Sequence, residues 1–149
     1  MTSRLAAAVM IAGALLTSSA SADGGKDPAN PLITDRGQFR PLILITPNET
    51  QPAYRELRQQ LEASRDAFEA RDMLLYTIEG DHGTRLGQDM TPYETQALLQ
   101  ALDIDPANGV TTVLVGKDGG KKVQQRGHVS LQQIYDTIDR MPMRRREAE

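Results

Sequence analysis

Two kinds of hydrophobic pattern alternate along the chain. Leu42-Ile43-Leu44-Ile45 is a continuous apolar run that Pro47 ends, and Met73-Leu74-Leu75-Tyr76-Thr77-Ile78 is a second. Short runs of this kind, bounded by turn residues, predict strands buried on both faces. Between them Tyr54, Leu57, Leu61 and Phe68 recur at helical spacing, with Pro52 suited to a first turn and Glu and Arg on the outward positions. Strand, helix and strand in so short a stretch predict a parallel, right-handed crossover. Glu79 to Asp89, with Gly80, Gly83 and Gly87, reads as a loop.

Thr91-Pro92-Tyr93-Glu94 places threonine at an N-cap, proline at N1 and glutamate at N3, a capping box that opens a second helix with Leu98, Ala101 and Leu102 inward. From Val110 a β-branched run reaches Val115. Gly116-Lys117-Asp118-Gly119-Gly120 interrupts it, and polar-apolar alternation resumes up to Arg126, the pattern of a β-hairpin. The closing helix runs from Leu131 to Met141 behind a Ser130 cap, and Pro142 stops it. The resulting order, β-α-β, α, β-hairpin, α, is the thioredoxin topology: an α/β fold with a central mixed sheet and flanking helices.

The amino-terminal pattern is different in kind. Arg4 precedes an apolar run from Leu5 to Leu16, and Ala20-Ser21-Ala22 follows. A basic start, a short apolar segment and an Ala-x-Ala site read as a secretory leader cut after Ala22. The run is too short and too alanine-rich for a stable membrane span. This divides the chain into a signal peptide at 1–22, a flexible or surface-hugging arm at 23–39, a thioredoxin-like domain at 40–143 and a charged tail at 144–149. Leu32-Ile33 could pin the arm to the domain. The expected location is the periplasm or the exterior of a bacterial cell, with no stable membrane anchor after cleavage.

Composition sharpens this in two ways. Cleavage leaves 127 residues (149 less 22), and it removes one of the 17 basic residues, Arg4, and none of the 20 acidic ones, so the net charge moves from −3 to −4. An acidic balance gives no sign of nucleic-acid binding, which normally shows as a basic face. The chain has no cysteine. An exported domain of this size must then be held by its own core, and thiol redox chemistry, peroxidatic cysteines, thiolate metal sites and a lipoprotein anchor are all excluded.

In this topology the chemistry sits after the first strand, where a helix N-terminus stabilises negative charge. Here that loop is Thr46-Pro47-Asn48-Glu49-Thr50-Gln51. It carries hydroxyl and amide groups, so Thr46, Asn48 and Thr50, with Arg126 and His128 nearby, are the candidate binding residues. Asn48-Glu49-Thr50 also matches a glycosylation acceptor, which matters only in a eukaryotic secretory host. The two histidines, His82 and His128, fall short of a metal site unless the fold joins them to further ligands. Asp103-x-Asp105 starts like a calcium loop, but Ala107 and Leu114 stand where oxygen ligands belong. Gly116 to Lys121 has the wrong spacing for a phosphate loop and joins two strands. No Gly-x-Ser-x-Gly elbow occurs. No catalytic residue, metal or cofactor is assigned.

Four stretches carry a resemblance: Arg40-Pro41-Leu42, Arg71-Asp72-Met73, Leu114-Val115-Gly116-Lys117-Asp118-Gly119-Gly120, and Ile138-Asp139-Arg140-Met141-Pro142-Met143-Arg144-Arg145. Together they resemble the exported family catalogued as domain of unknown function 4174, over roughly Arg40 to Glu147. The resemblance implies a thioredoxin-like, peroxiredoxin-related fold and no established activity; related domains occur in animal extracellular sushi-repeat proteins. The peroxiredoxin chemistry does not carry over to a chain without cysteine. The expected function is a non-catalytic binding or interaction module of the cell envelope, with an envelope or extracellular protein as partner. The alternative is a non-thiol enzyme or small-anion-binding protein using the loop after the first strand.

Overall fold

The computed structural model describes residues 27–148. The expected leader and its cleavage site lie outside the described residues. In chain order the elements are α1 (Leu32–Asp35), β1 (Arg40–Thr46), α2 (Pro52–Ala63), α3 (Arg65–Ala70), β2 (Met73–Glu79), β3 (His82–Arg85), β4 (Gln88–Asp89) and α4 (Pro92–Leu102). A single 3-10 turn, Pro106–Asn108, leads to β5 (Thr111–Val115), β6 (Lys121–Arg126), α5 (Leu131–Asp139) and α6 (Pro142–Ala148). One six-stranded sheet runs in the order β4-β3-β2-β1-β5-β6. β1 pairs parallel with β2, every other pairing is antiparallel, and the last hairpin returns beside β1. That is a thioredoxin-like α/β fold, extended at one edge by β3 and β4.

β1 is central because all seven of its residues are buried. Its side chains alternate between two cores. Leu42 and Leu44 pack with Tyr54, Leu57 and Leu61 of α2 and with Leu131, Ile134 and Ile138 of α5. Ile43 and Ile45 pack with Leu98, Leu99 and Leu102 of α4 on the other face. Each such side chain contributes roughly 1.5–3 kcal/mol on burial. That gain lets a strand that begins with a buried arginine, Arg40 at 1 % exposure, hold the centre of the sheet.

Several local features follow the sequence pattern. The Thr91 hydroxyl accepts from Glu94 N at 3.1 Å and the Glu94 carboxylate accepts from Thr91 N at 2.9 Å, closing the capping box. These bonds hold the Glu94 carboxyl below its usual range. Ser130 caps α5 through Gln133 N. The turn from Gly116 to Gly120 bonds to itself, Gly116 N to Gly120 O at 2.9 Å and Gly120 N to Asp118 Oδ1 at 2.9 Å, so it is a structural turn.

Three features differ from it. The crossover helix breaks at Ser64, whose hydroxyl bonds back to Gln60 O at 2.8 Å and so competes with the helical ladder. The stretch from Glu79 to Asp89 is two hairpins in succession. Gly80 has a positive φ at the first turn position before β3, and Leu86 and Gly87 both have positive φ before β4, the backbone patterns of primed two-residue turns. Pro142 ends α5 and also opens α6, since a missing N–H costs nothing at a first helical position. The tail from Arg144 is therefore helical as far as Ala148.

The arm packs onto the core through Leu32 and Phe39. Leu32 is buried and Ile33 faces outward. Asp35, 1 % exposed, receives a hydrogen bond from the Tyr76 hydroxyl, and Arg85 Nη2 lies 2.6 Å from its second oxygen. Arg85 Nε also donates to the Tyr76 oxygen at 3.1 Å. Burial and then the Asp35 carboxylate push the Tyr76 hydroxyl pKa up, against the opposing pull of Arg85. β3 exists in part to deliver Arg85 to this buried acid.

Candidate functional site

The parallel β1–β2 pair gives the sheet two distinct ends. At the carboxyl end of β1 lies the loop from Thr46 to Gln51. Thr46 is fully buried and its hydroxyl donates to Asn48 O at 2.8 Å. Asn48 Oδ1 accepts from Thr50 N at 3.0 Å and from the Thr50 hydroxyl at 2.6 Å. Thr46 is thus tied to the main chain of Asn48, and the Asn48 side chain closes a tight Asx-type turn onto Thr50. Gln51, at the cap of α2, makes no side-chain hydrogen bond, so the first N–H groups of that helix have no side-chain acceptor.

Arg126 stands opposite Thr111, which stands opposite Ile45, so it shares this end of the sheet two strands away. His128 turns from the loop toward α2, where its Nδ1 lies 2.6 Å from Glu56 Oε2, with both groups exposed. His128 and Glu56 line a polar groove of about 460 Å³ with Gln60, Gln125 and Ser130; Thr46, Asn48, Thr50 and Arg126 do not line it. His82 on β3 lies 3.2 Å from Asp89 on β4. β3 and β6 are four strand steps apart, roughly 19 Å at the usual spacing, so the two histidines do not come together. Among the described residues no three metal-ligating side chains cluster.

The other end is far richer in charge. Parallel pairing brings the starts of β1 and β2 there, and the β5–β6 turn and the end of α5 meet them. Arg40 Nη1 donates to Arg71 O at 2.9 Å, and its two terminal nitrogens face the Glu147 carboxylate at 3.2 and 3.3 Å. Lys117 Nζ lies 2.6 Å from Glu147 and 2.8 Å from Asp72. Arg71 forks onto Asp139 at 3.0 and 2.9 Å and stacks 4.5 Å above the Tyr135 ring, a charge-assisted, bidentate arrangement with a cation–π contact. Arg144 approaches Asp139 at 3.7 Å and Glu147 at 3.8 Å. Four cations therefore face three carboxylates.

The titrations follow from these contacts. Hydrogen bonding to Lys117 and then Arg40 outweighs burial and holds the Glu147 carboxyl below its usual range. The Arg71 fork does the same for Asp139. For Lys117, burial pulls the ammonium pKa down, but Asp72 and Glu147 together outweigh it and the net shift is upward. Beside this network lies a hollow of about 410 Å³ lined by Arg71, Asp139, Arg144, Arg145 and Ala148, three arginines against one aspartate.

Periodicity and spacing did not single out these residues. The signal was the resemblance itself: Arg40, Arg71, Asp72, Lys117, Asp139 and Arg144 all belong to the four stretches that carry it. They lie far apart along the chain and converge only in the fold.

A family model described as a domain of unknown function (DUF4174) matches residues 31–147. The match begins just before α1 and ends on the glutamate that Arg40 holds. No curated protein and no solved structure matches the chain. With most of its length covered by that model, including both ends of the sheet, the chain belongs to the DUF4174 family.

Proposed function

We propose that the mature chain is an exported thioredoxin-like domain that serves as a non-catalytic binding module of the bacterial cell envelope. The observation that carries this reading is the state of the loop after β1. Where this topology gathers reactive groups, the Thr46 hydroxyl is tied to the Asn48 main-chain carbonyl and the Asn48 side-chain carbonyl to Thr50, and no cysteine exists to take their place. Among the described residues neither hydroxyl of this turn is bonded to a base that would activate it as a nucleophile. Export rests on the leader pattern of Arg4, Leu5–Leu16 and Ala20-Ser21-Ala22. Among the described residues no helix is long and apolar enough to cross a membrane.

Two measurements test the reading. Purified protein is expected neither to reduce insulin nor to consume peroxide at enzymatic rates, and either activity would sink the non-catalytic claim. Protein recovered from the envelope fraction of its own host is expected to begin at Asp23; an intact Met1 terminus would sink the export claim.

The alternative places a small anion, or a non-thiol reaction, at the same loop. It has one feature in its favour, the open N-terminus of α2 beyond Gln51. On that reading Asn48→Ala abolishes anion binding or turnover while the fold stays intact; on the leading reading it changes neither.

A further inference from the structure

α6 is attached by charge. None of its residues is buried. Its ties to the rest of the domain are the Glu147 carboxylate, held by Arg40 and Lys117, and the looser approach of Arg144 to Asp139. Seven residues do not sustain a helix in water by themselves. The helix therefore stays in place because Glu147 is received.

What receives it has the form of an anion site. Arg40 is 1 % exposed, and among the described residues Glu147 is its one carboxylate partner. Both terminal nitrogens aim at the two oxygens of that group, and Nε has no hydrogen-bond partner among the described residues. Lys117, its side chain 9 % exposed, adds a second cation at 2.6 Å. An arginine fork with an ammonium beside it matches the paired oxygens of a carboxylate or a phosphate. The buried Arg40 needs an anion whether or not α6 is present, because a buried charge persists only when paired. The hollow on the outer flank, with Arg71, Arg144 and Arg145 against Asp139, gives the approach a positive sign on a chain that is acidic overall.

We propose that Arg40 and Lys117 form a binding site for small oxyanions, carboxylate or phosphate in type, and that Glu147 on α6 fills this site from within as a displaceable plug. An incoming oxyanion competes with Glu147, and α6 lifts as the exchange occurs. Because the plug is tethered by a few residues after α5, it competes at an effective concentration on the order of millimolar. The full chain therefore binds free oxyanions weakly until the plug is removed.

The test uses the full mature chain with sodium phosphate and sodium acetate as separate probes, chloride holding the ionic strength constant. Glu147→Gln removes the plug's charge and keeps its shape. Titration calorimetry is expected to show at least one probe binding tenfold or more tightly to this variant than to the wild type. Phosphate alone, acetate alone or both responding identifies which oxyanion the site prefers.

Adding Lys117→Met to Glu147→Gln is expected to abolish the gain; Lys117 lies in a turn, so this variant keeps Arg40 in the core. In the wild type, the effective probe is expected to speed tryptic cleavage at Arg144–Arg146, whereas an anion that merely stabilised the domain would slow it. Equal affinity in wild type and Glu147→Gln overturns the plug, and a gain that survives Lys117→Met overturns the site. A positive insulin or peroxide assay would remove the non-catalytic reading and leave this site standing.

Discussion

At the carboxyl end of β1 the polar bonds are local: Thr46 to Asn48 and Asn48 to Thr50, each two residues apart. At the amino end Arg40 reaches Arg71 over 31 residues and Glu147 over 107, and Arg71 reaches Asp139 over 68. Local bonds of the first kind exist in part before the fold forms and cost little chain entropy. Bonds of the second kind exist only once the sheet and helices are assembled, and each removes charge from water as it forms. The two ends therefore differ in what a mutation should do. One is a turn that any well-chosen sequence could replace, and the other is a joint between five pieces of chain.

Four measurements can break or sharpen this contrast. Arg40→Ala should cost the most, about 3 kcal/mol in urea unfolding, because it leaves a cavity and strips Glu147 and Arg71 O of their partner. Glu147→Ala should cost about 1–2 kcal/mol, less because the vacated site lets an anion from solution reach Arg40. Acid should act at the same end. The Asp139 and Glu147 carboxyls are depressed in the fold, so their stabilisation is complete above the unfolded carboxylate range, roughly pH 4, and is lost as pH falls through the lower folded values. The raised Lys117 works in the opposite direction, losing its contribution as pH climbs past about 10. Stability should thus be flat between these limits, and in Glu147→Ala the acid limb should shrink. Asn48→Ala should cost least, within about 1 kcal/mol, since its bonds are exposed. A larger loss for Asn48→Ala than for Arg40→Ala in the same urea series would end the comparison.

How much could be read in advance follows the same division. The β1 and β2 runs, the Thr91–Glu94 capping box, the Ser130 cap and the hairpin around Gly116–Gly120 are short-range patterns, and each is present where the sequence places it. β3 and β4 were illegible because His82 to Arg85 and the edge strand Gln88-Asp89 are short and lack apolar alternation; only their turn residues gave a signal. The break at Ser64 depends on a side chain bonding back one turn, and the helix after Pro142 on a proline serving two helices at once. The ionic joint was legible only as a set of motifs with no stated reason to belong together. No periodicity links Arg40 to Glu147, because nothing in the hydrophobic pattern records which charge will meet which. The pattern also pointed to Thr46, Asn48, Thr50, Arg126 and His128, and the fold gives His128 to Glu56 and ties the first three by bonds two residues long.

The bond between Arg40 and Glu147 also imposes an order in time. A chain made amino terminus first presents Arg40 long before Glu147 exists outside the ribosome. Through that interval the strand that will become the centre of the sheet carries an unneutralised guanidinium at its first position, which opposes burying it early. Closing a loop of this length is among the last steps such a chain can take. This tie across 107 residues therefore doubles as a check on completeness: only a chain extended as far as Glu147 can answer the charge at the start of its first core strand from within.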